Sequence, residues 1–138
     1  MNPFTDQELQ ILSAEIDNQL REVENNPASE GISKATTYGK KIVPSKQKQE
    51  IEQATGEEAE SYLKKFARAV KKDLCEEGGI LHDQFEELGN LSKKSMLVTF
   101  GTVLAGMNVA TIALPAVVVA VSVIVLHIGI EAFCEECG

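Results

Sequence analysis

At 138 residues and a formal net charge of −8, the chain has room for one domain, or for a small domain joined to a membrane segment. The acidic balance excludes general nucleic-acid binding, which needs a surplus of basic groups facing phosphate. The absence of Trp and an aromatic share of only 5% argue against base-stacking platforms as well.

The first predicted element is an amphipathic helix. Thr5 reads as its N-cap and Glu8 as the reciprocal member of a T-x-x-E capping box, with Phe4 and Leu9 placed for a hydrophobic staple. Leu9, Leu12, Ile16, Leu20 and Val23 recur at steps of three and four and make one apolar stripe, with Ile11 beside it. The helix is expected to end near Asn25–Asn26, before Pro27. Met1 to Glu8 contains acids and no apolar run, so no signal peptide is read there. The expected location is the cytoplasm or the inner membrane.

Asn25 to Ser45 reads as a loop, with two Pro and two Gly, long enough to hold a short helix or to serve as a linker. A second helical region follows over about Lys46 to Glu77. Gly56 is expected to interrupt it, and Thr55 with Glu58 to restart it through another capping box. Leu63, Phe66, Ala67, Val70 and Leu74 form its apolar face, while Lys64, Lys65, Arg68, Lys71 and Lys72 form a basic one. That basic face is either a solvated surface or a contact for anionic lipid. Gly78–Gly79 is expected to stop the helix, and a short third helix to cover about Ile80 to Leu88.

The C-terminal third is of another kind. All 13 Lys and Arg and 18 of the 21 acids precede Ser95, and the 36 residues from Ser95 to Ile130 hold no charge at all. A surface helix would show a polar stripe every 3.6 residues; this run must be hidden from water, in lipid or in a protein core. The residues expected to enter that environment include Met96, Leu97, Phe100, Leu104, Pro115, Val119, Val123, Leu126 and His127. One membrane span needs about 20 residues, so the run is too long for one and barely sufficient for two. Division at Pro115 predicts a tight hairpin of Ser95–Ala113 and Pro115–Phe133. Division at Gly106-Met107-Asn108 predicts a short first helix and one long span, Val109 to Ile130, kinked at Pro115. Thr102 with Gly106, and Ala116 with Ala120, are spaced for close helix approach. Val117 to Val125 is β-branched but has no strand to pair with.

Few residues suggest chemistry. Cys134-Glu-Glu-Cys137 is a lone C-x-x-C; with Cys75 and His82 it would make a Cys₃His metal site, and otherwise Cys75 and Cys134 pack as small apolar residues. A disulfide framework is not expected of three cysteines in a reducing compartment. His127, four residues before Glu131, is either a pH-sensing or pore-lining pair or a satisfied polar group near an interface. No phosphate-binding loop or nucleophile–base arrangement is visible, so no enzyme activity and no cofactor are expected.

Gly129-Ile-Glu-Ala-Phe133-Cys134-Glu135 after a long apolar helix, with Leu74-Cys75-Glu76 at an earlier helix end, resembles small helical proteins encoded in bacterial conflict and anti-phage gene clusters. That resemblance covers about the last 65 residues and implies a bacterial effector or accessory subunit. The expected architecture is all-α: a charged helical region over 1–90 and an apolar segment over 91–138, a small bundle ending in an apolar hairpin or a kinked transmembrane helix. The expected function is that of a small non-enzymatic membrane-active or membrane-anchored protein, the alternative being a soluble all-α interaction subunit whose hairpin is buried in a bundle, oligomer or larger complex. Its partner is expected to be a lipid bilayer or another protein, with self-association as a further route to covering the apolar run.

Overall fold

The computed structural model describes residues 4–25, 37–38, 41–42, 45–76, 79, 93–107, 109–128 and 133. The first helix, α1 (Asp6–Asn25), begins as its sequence dictates. The Thr5 backbone N–H donates to Glu8 Oε1 at 2.9 Å and the Glu8 N–H donates to Thr5 Oγ1 at 3.1 Å, a closed capping box. Phe4, Leu9, Leu12, Ile16 and Val23 are buried on its inner face, whereas Ile11 is 61% exposed.

Two very short segments follow, β1 (Thr37–Tyr38) and β2 (Lys41–Ile42), which pair antiparallel with Thr37 opposite Ile42 and Tyr38 opposite Lys41. They are too short to form a layer, and the fold is an all-α small helical bundle of five helices among the described residues.

The long second helical region is divided as expected, into α2 (Ser45–Thr55) and α3 (Ala59–Leu74). Gly56 turns the chain with φ of +74°, a left-handed conformation that favours glycine. The restart differs from the expected capping box. Glu58, not Thr55, occupies the N-cap, and its side chain caps nothing. Thr55 instead finishes α2: its hydroxyl donates to the Ile51 carbonyl at 2.7 Å and accepts from the Glu57 N–H at 3.2 Å. The first free N–H of α3, on Ala59, is met from across the elbow by Glu52 Oε2 at 3.1 Å. α3 also stops earlier than Glu77, with Cys75 as its C-cap. Gly79 lies so close to the helix end that a Cβ there would sit 2.2 Å from the Lys72 carbonyl oxygen. The helix expected over Ile80 to Leu88 lies outside the described residues.

The apolar run forms α4 (Lys93–Ala105) and α5 (Leu114–Ile128). The break falls over 106–113, so α4 ends where the Gly106 division placed it, while α5 starts at Leu114 and not at Val109. The kinked span over Val109–Ile130 is therefore not formed. Pro115 is the second residue of α5, where a missing N–H costs no helical bond. No helix among the described residues is long and apolar enough to cross a membrane. α5 has 15 residues and thus rises about 22 Å, against about 30 Å of hydrocarbon.

α5 is the axis of the bundle. It packs against α1, α2 and α4, while α3 covers α2 and α4. Every residue from Val117 to Val125 is buried, so this β-branched segment is a helix enclosed on all sides. Of the small residues expected to mediate close helix approach, only Ala120 is buried; Thr102, Gly106 and Ala116 face outward. α3 joins α4 through an edge-to-face contact of Phe66 with Phe100, centroids 5.0 Å apart, and Phe66 also meets Phe133 at 6.4 Å. Polar contacts fix the outer helices. Gln47 Nε2 donates to Gln19 Oε1 at 2.7 Å, and exposed ion pairs link Lys46 with Glu22 and Lys94 with Asp6, both at 3.4 Å.

The Ser122 hydroxyl is buried inside α5 with no hydrogen-bond partner among the described residues. An orphaned buried hydroxyl costs about 1–3 kcal/mol. Ser122→Ala is accordingly expected to stabilise the protein by about 1 kcal/mol, read as a higher urea midpoint at unchanged slope.

Candidate functional site

The turn between α4 and α5 is closed by its own backbone. Gly106 and Met107 donate back to Val103 and Leu104 at 3.1 and 3.0 Å, and Ala113 and Leu114 both donate to Ala110 at 2.9 Å. Val109 points inward as a plug, at 7% exposure. Among the described residues, the outward positions at this end of the hairpin are Thr102, Ala105, Gly106, Ala110, Thr111, Ile112 and Ala116. None carries a charge, and Ile112 is 94% exposed. The tip is an uncharged surface headed by one large apolar side chain.

The residues expected to insert into lipid or a core are mostly interior here. Met96, Leu97, Phe100, Leu104, Val119 and Val123 are buried together, and Pro115, Leu126 and His127 are half-buried. His127 lies in the last turn of α5; Glu131, its expected partner, is outside the described residues. The basic face is solvent-exposed at Lys64, Lys65, Arg68, Lys71 and Lys72. It is partly neutralised by acids of α3 and the elbow, since Lys64 pairs with Glu60 at 3.9 Å and Lys65 pairs with Glu57.

Cys75 is disulfide-bonded. Its partner is Cys134 or Cys137, the two other cysteines of the chain, both beyond the described residues along with His82. The expectation of unpaired cysteines is thereby corrected, and the Cys₃His arrangement loses its first thiolate. The contact of the Phe133 ring with Phe66 gives the physical reason, because it places residue 133 against α3. Among the described residues no group of three or more His, Cys, Asp or Glu could hold a metal ion.

A cavity of about 320 Å³ opens where the α2–α3 elbow meets the hairpin turn, lined by Thr55, Glu57, Tyr62, Lys65, Ala69 and Met107. Tyr62 is its most deeply placed wall, at 1% exposure. Its hydroxyl has no hydrogen-bond partner among the described residues. Burial, reinforced by the Glu57 carboxylate, pushes the phenol up to about 12, so it stays protonated and able to donate at neutral pH. Sequence periodicity offers little warning of this site. Tyr62 adjoins the apolar stripe of α3, but Met107 comes to it from 45 positions later in the chain.

No family model, curated protein or solved structure matches the chain.

Proposed function

We propose that the chain is a non-enzymatic interaction subunit, an all-α bundle that folds in water around its apolar helix and presents the uncharged tip of the α4–α5 hairpin to a protein partner. The observation that carries this reading is the enclosure of α5. Its apolar side chains are covered by α1, α2 and α4, so the charge-free run finds its burial within the chain itself. The tip then supplies the contact. An exposed Ile112 among small uncharged residues offers a partner an apolar anchor without charges to desolvate. The resemblance of about the last 65 residues to helical proteins of bacterial conflict clusters fits an accessory subunit of such a system.

A second reading, membrane activity, is favoured by the same tip. From Ser95 to Ile130 the hairpin could enter a bilayer without carrying a charge into it, with α1, α2 and α3 acting as a cover that opens. Fractionation of the expressed protein decides between the two, using high-salt and carbonate washes before detergent, followed by flotation of purified protein with liposomes. The interaction reading expects release in the washes and no flotation. Retention until detergent is added would overturn it in favour of the membrane reading.

A further inference from the structure

The cavity between the α2–α3 elbow and the hairpin turn has a feature that a merely imperfect surface lacks. Its deepest wall is Tyr62, whose hydroxyl is enclosed and unpartnered among the described residues. Burying a hydroxyl without a partner is unfavourable, and unlike the Ser122 hydroxyl inside α5, that of Tyr62 belongs to a residue that lines a cavity. The other polar groups around it are already engaged. The Thr55 hydroxyl is held by Ile51 and Glu57, and the Glu57 carboxylate is held by Lys65. Among the polar side chains of this lining, the Tyr62 hydroxyl is the one with no hydrogen-bond partner among the described residues, so it has a hydrogen bond to give to an occupant that reaches it.

We propose that this cavity is a small-molecule binding site, and that it takes an uncharged ligand with an apolar body and one acceptor oxygen, of the carbonyl or amide kind, which receives the hydrogen bond of Tyr62. The volume, about 320 Å³, lies at the small end of the range for ligand pockets. Charge selectivity follows from the Glu57–Lys65 pair at the rim. An anion must approach the Glu57 carboxylate and a cation the Lys65 ammonium, each of which is already compensated by the other. A neutral molecule avoids both. The apolar body would lie against Ala69 and the Met107 side chain. The hydroxyl is covered, so a ligand reaches it only when a lining side chain shifts, and of the lining Met107, an unbranched thioether, changes rotamer at little cost. This site goes beyond the proposed interaction role and does not depend on it.

Three probes of equal size and different charge test the proposal: benzamide, benzoate and benzylamine, each titrated into the full chain carrying ¹³C-methyl methionine. The chain has three methionines, and Met107→Leu identifies the reporting signal. The expected result is a saturable shift of the Met107 methyl with benzamide, an unmoved Met96 methyl, and affinities at least about tenfold weaker for the two charged probes. Tyr62→Phe removes only the orphaned hydroxyl, so the fold is retained; benzamide should then bind about tenfold more weakly, the worth of one hydrogen bond. Ala69→Leu, which fills the cavity without deleting a contact, should abolish the shift. Absence of any saturable shift, equal affinity in Tyr62→Phe, or tighter binding of either charged probe would each overturn the proposal.

Discussion

Phe66→Ala is expected to destabilise the protein by about 3–5 kcal/mol, the usual range for deleting a fully buried aromatic side chain. Phe66 is completely buried, and its ring meets both Phe100 of α4 and Phe133. Removing the ring leaves a cavity and cancels both aromatic contacts at once. Domains of this size are stable by only about 5–15 kcal/mol, so the variant should unfold at markedly lower urea than the parent. Phe100→Ala should cost a comparable amount, and the double variant less than the sum, because the two residues share a contact. A loss below about 1 kcal/mol for Phe66→Ala would mean that α3 does not close the bundle.

Reduction of the bridge at Cys75 is the second large effect. The disulfide closes a loop of about 60 residues, whichever of Cys134 and Cys137 supplies the other sulfur. Chain-entropy arguments give a bridge over such a loop about 4 kcal/mol of stabilisation, with native strain subtracting from it. Cys75→Ser and the reduced parent should both show urea midpoints well below that of the oxidised protein, and they should agree with each other. Peptide mapping under non-reducing conditions identifies the partner. Coincident midpoints with and without reductant would show that the bridge contributes nothing to the fold.

The parts of this fold legible in the sequence are those whose causes are local. α1 could be read almost to the residue because its cap, staple and stripe all lie within one helix. The division at Gly56 was equally legible, since a glycine there can adopt the positive φ that the turn needs. The capping of α3 was not, because its N–H partner comes from Glu52, seven residues earlier and across the elbow. The environment of the apolar run was harder still. Each outer helix, taken singly, has a stripe too narrow to hide α5. Only the convergence of α1, α2 and α4 on one helix hides it, and a periodicity reports the width of a face without reporting how many faces meet. The Tyr62 cavity is illegible for the same reason: its walls come from α2, α3 and the hairpin turn.

The interior position of α5 has a consequence for how the protein is made. Val117–Val125 is nine residues of β-branched and small side chains with no charge and no proline, a composition that self-associates into stacked strands when it is left uncovered. It emerges from the ribosome after α1, α2, α3 and α4. The helices that must shelter it are therefore already synthesised when it appears, and the order of the sequence guards the chain against aggregation at the moment of greatest exposure. A permuted chain that began at α4 would carry the same contacts and lose that protection.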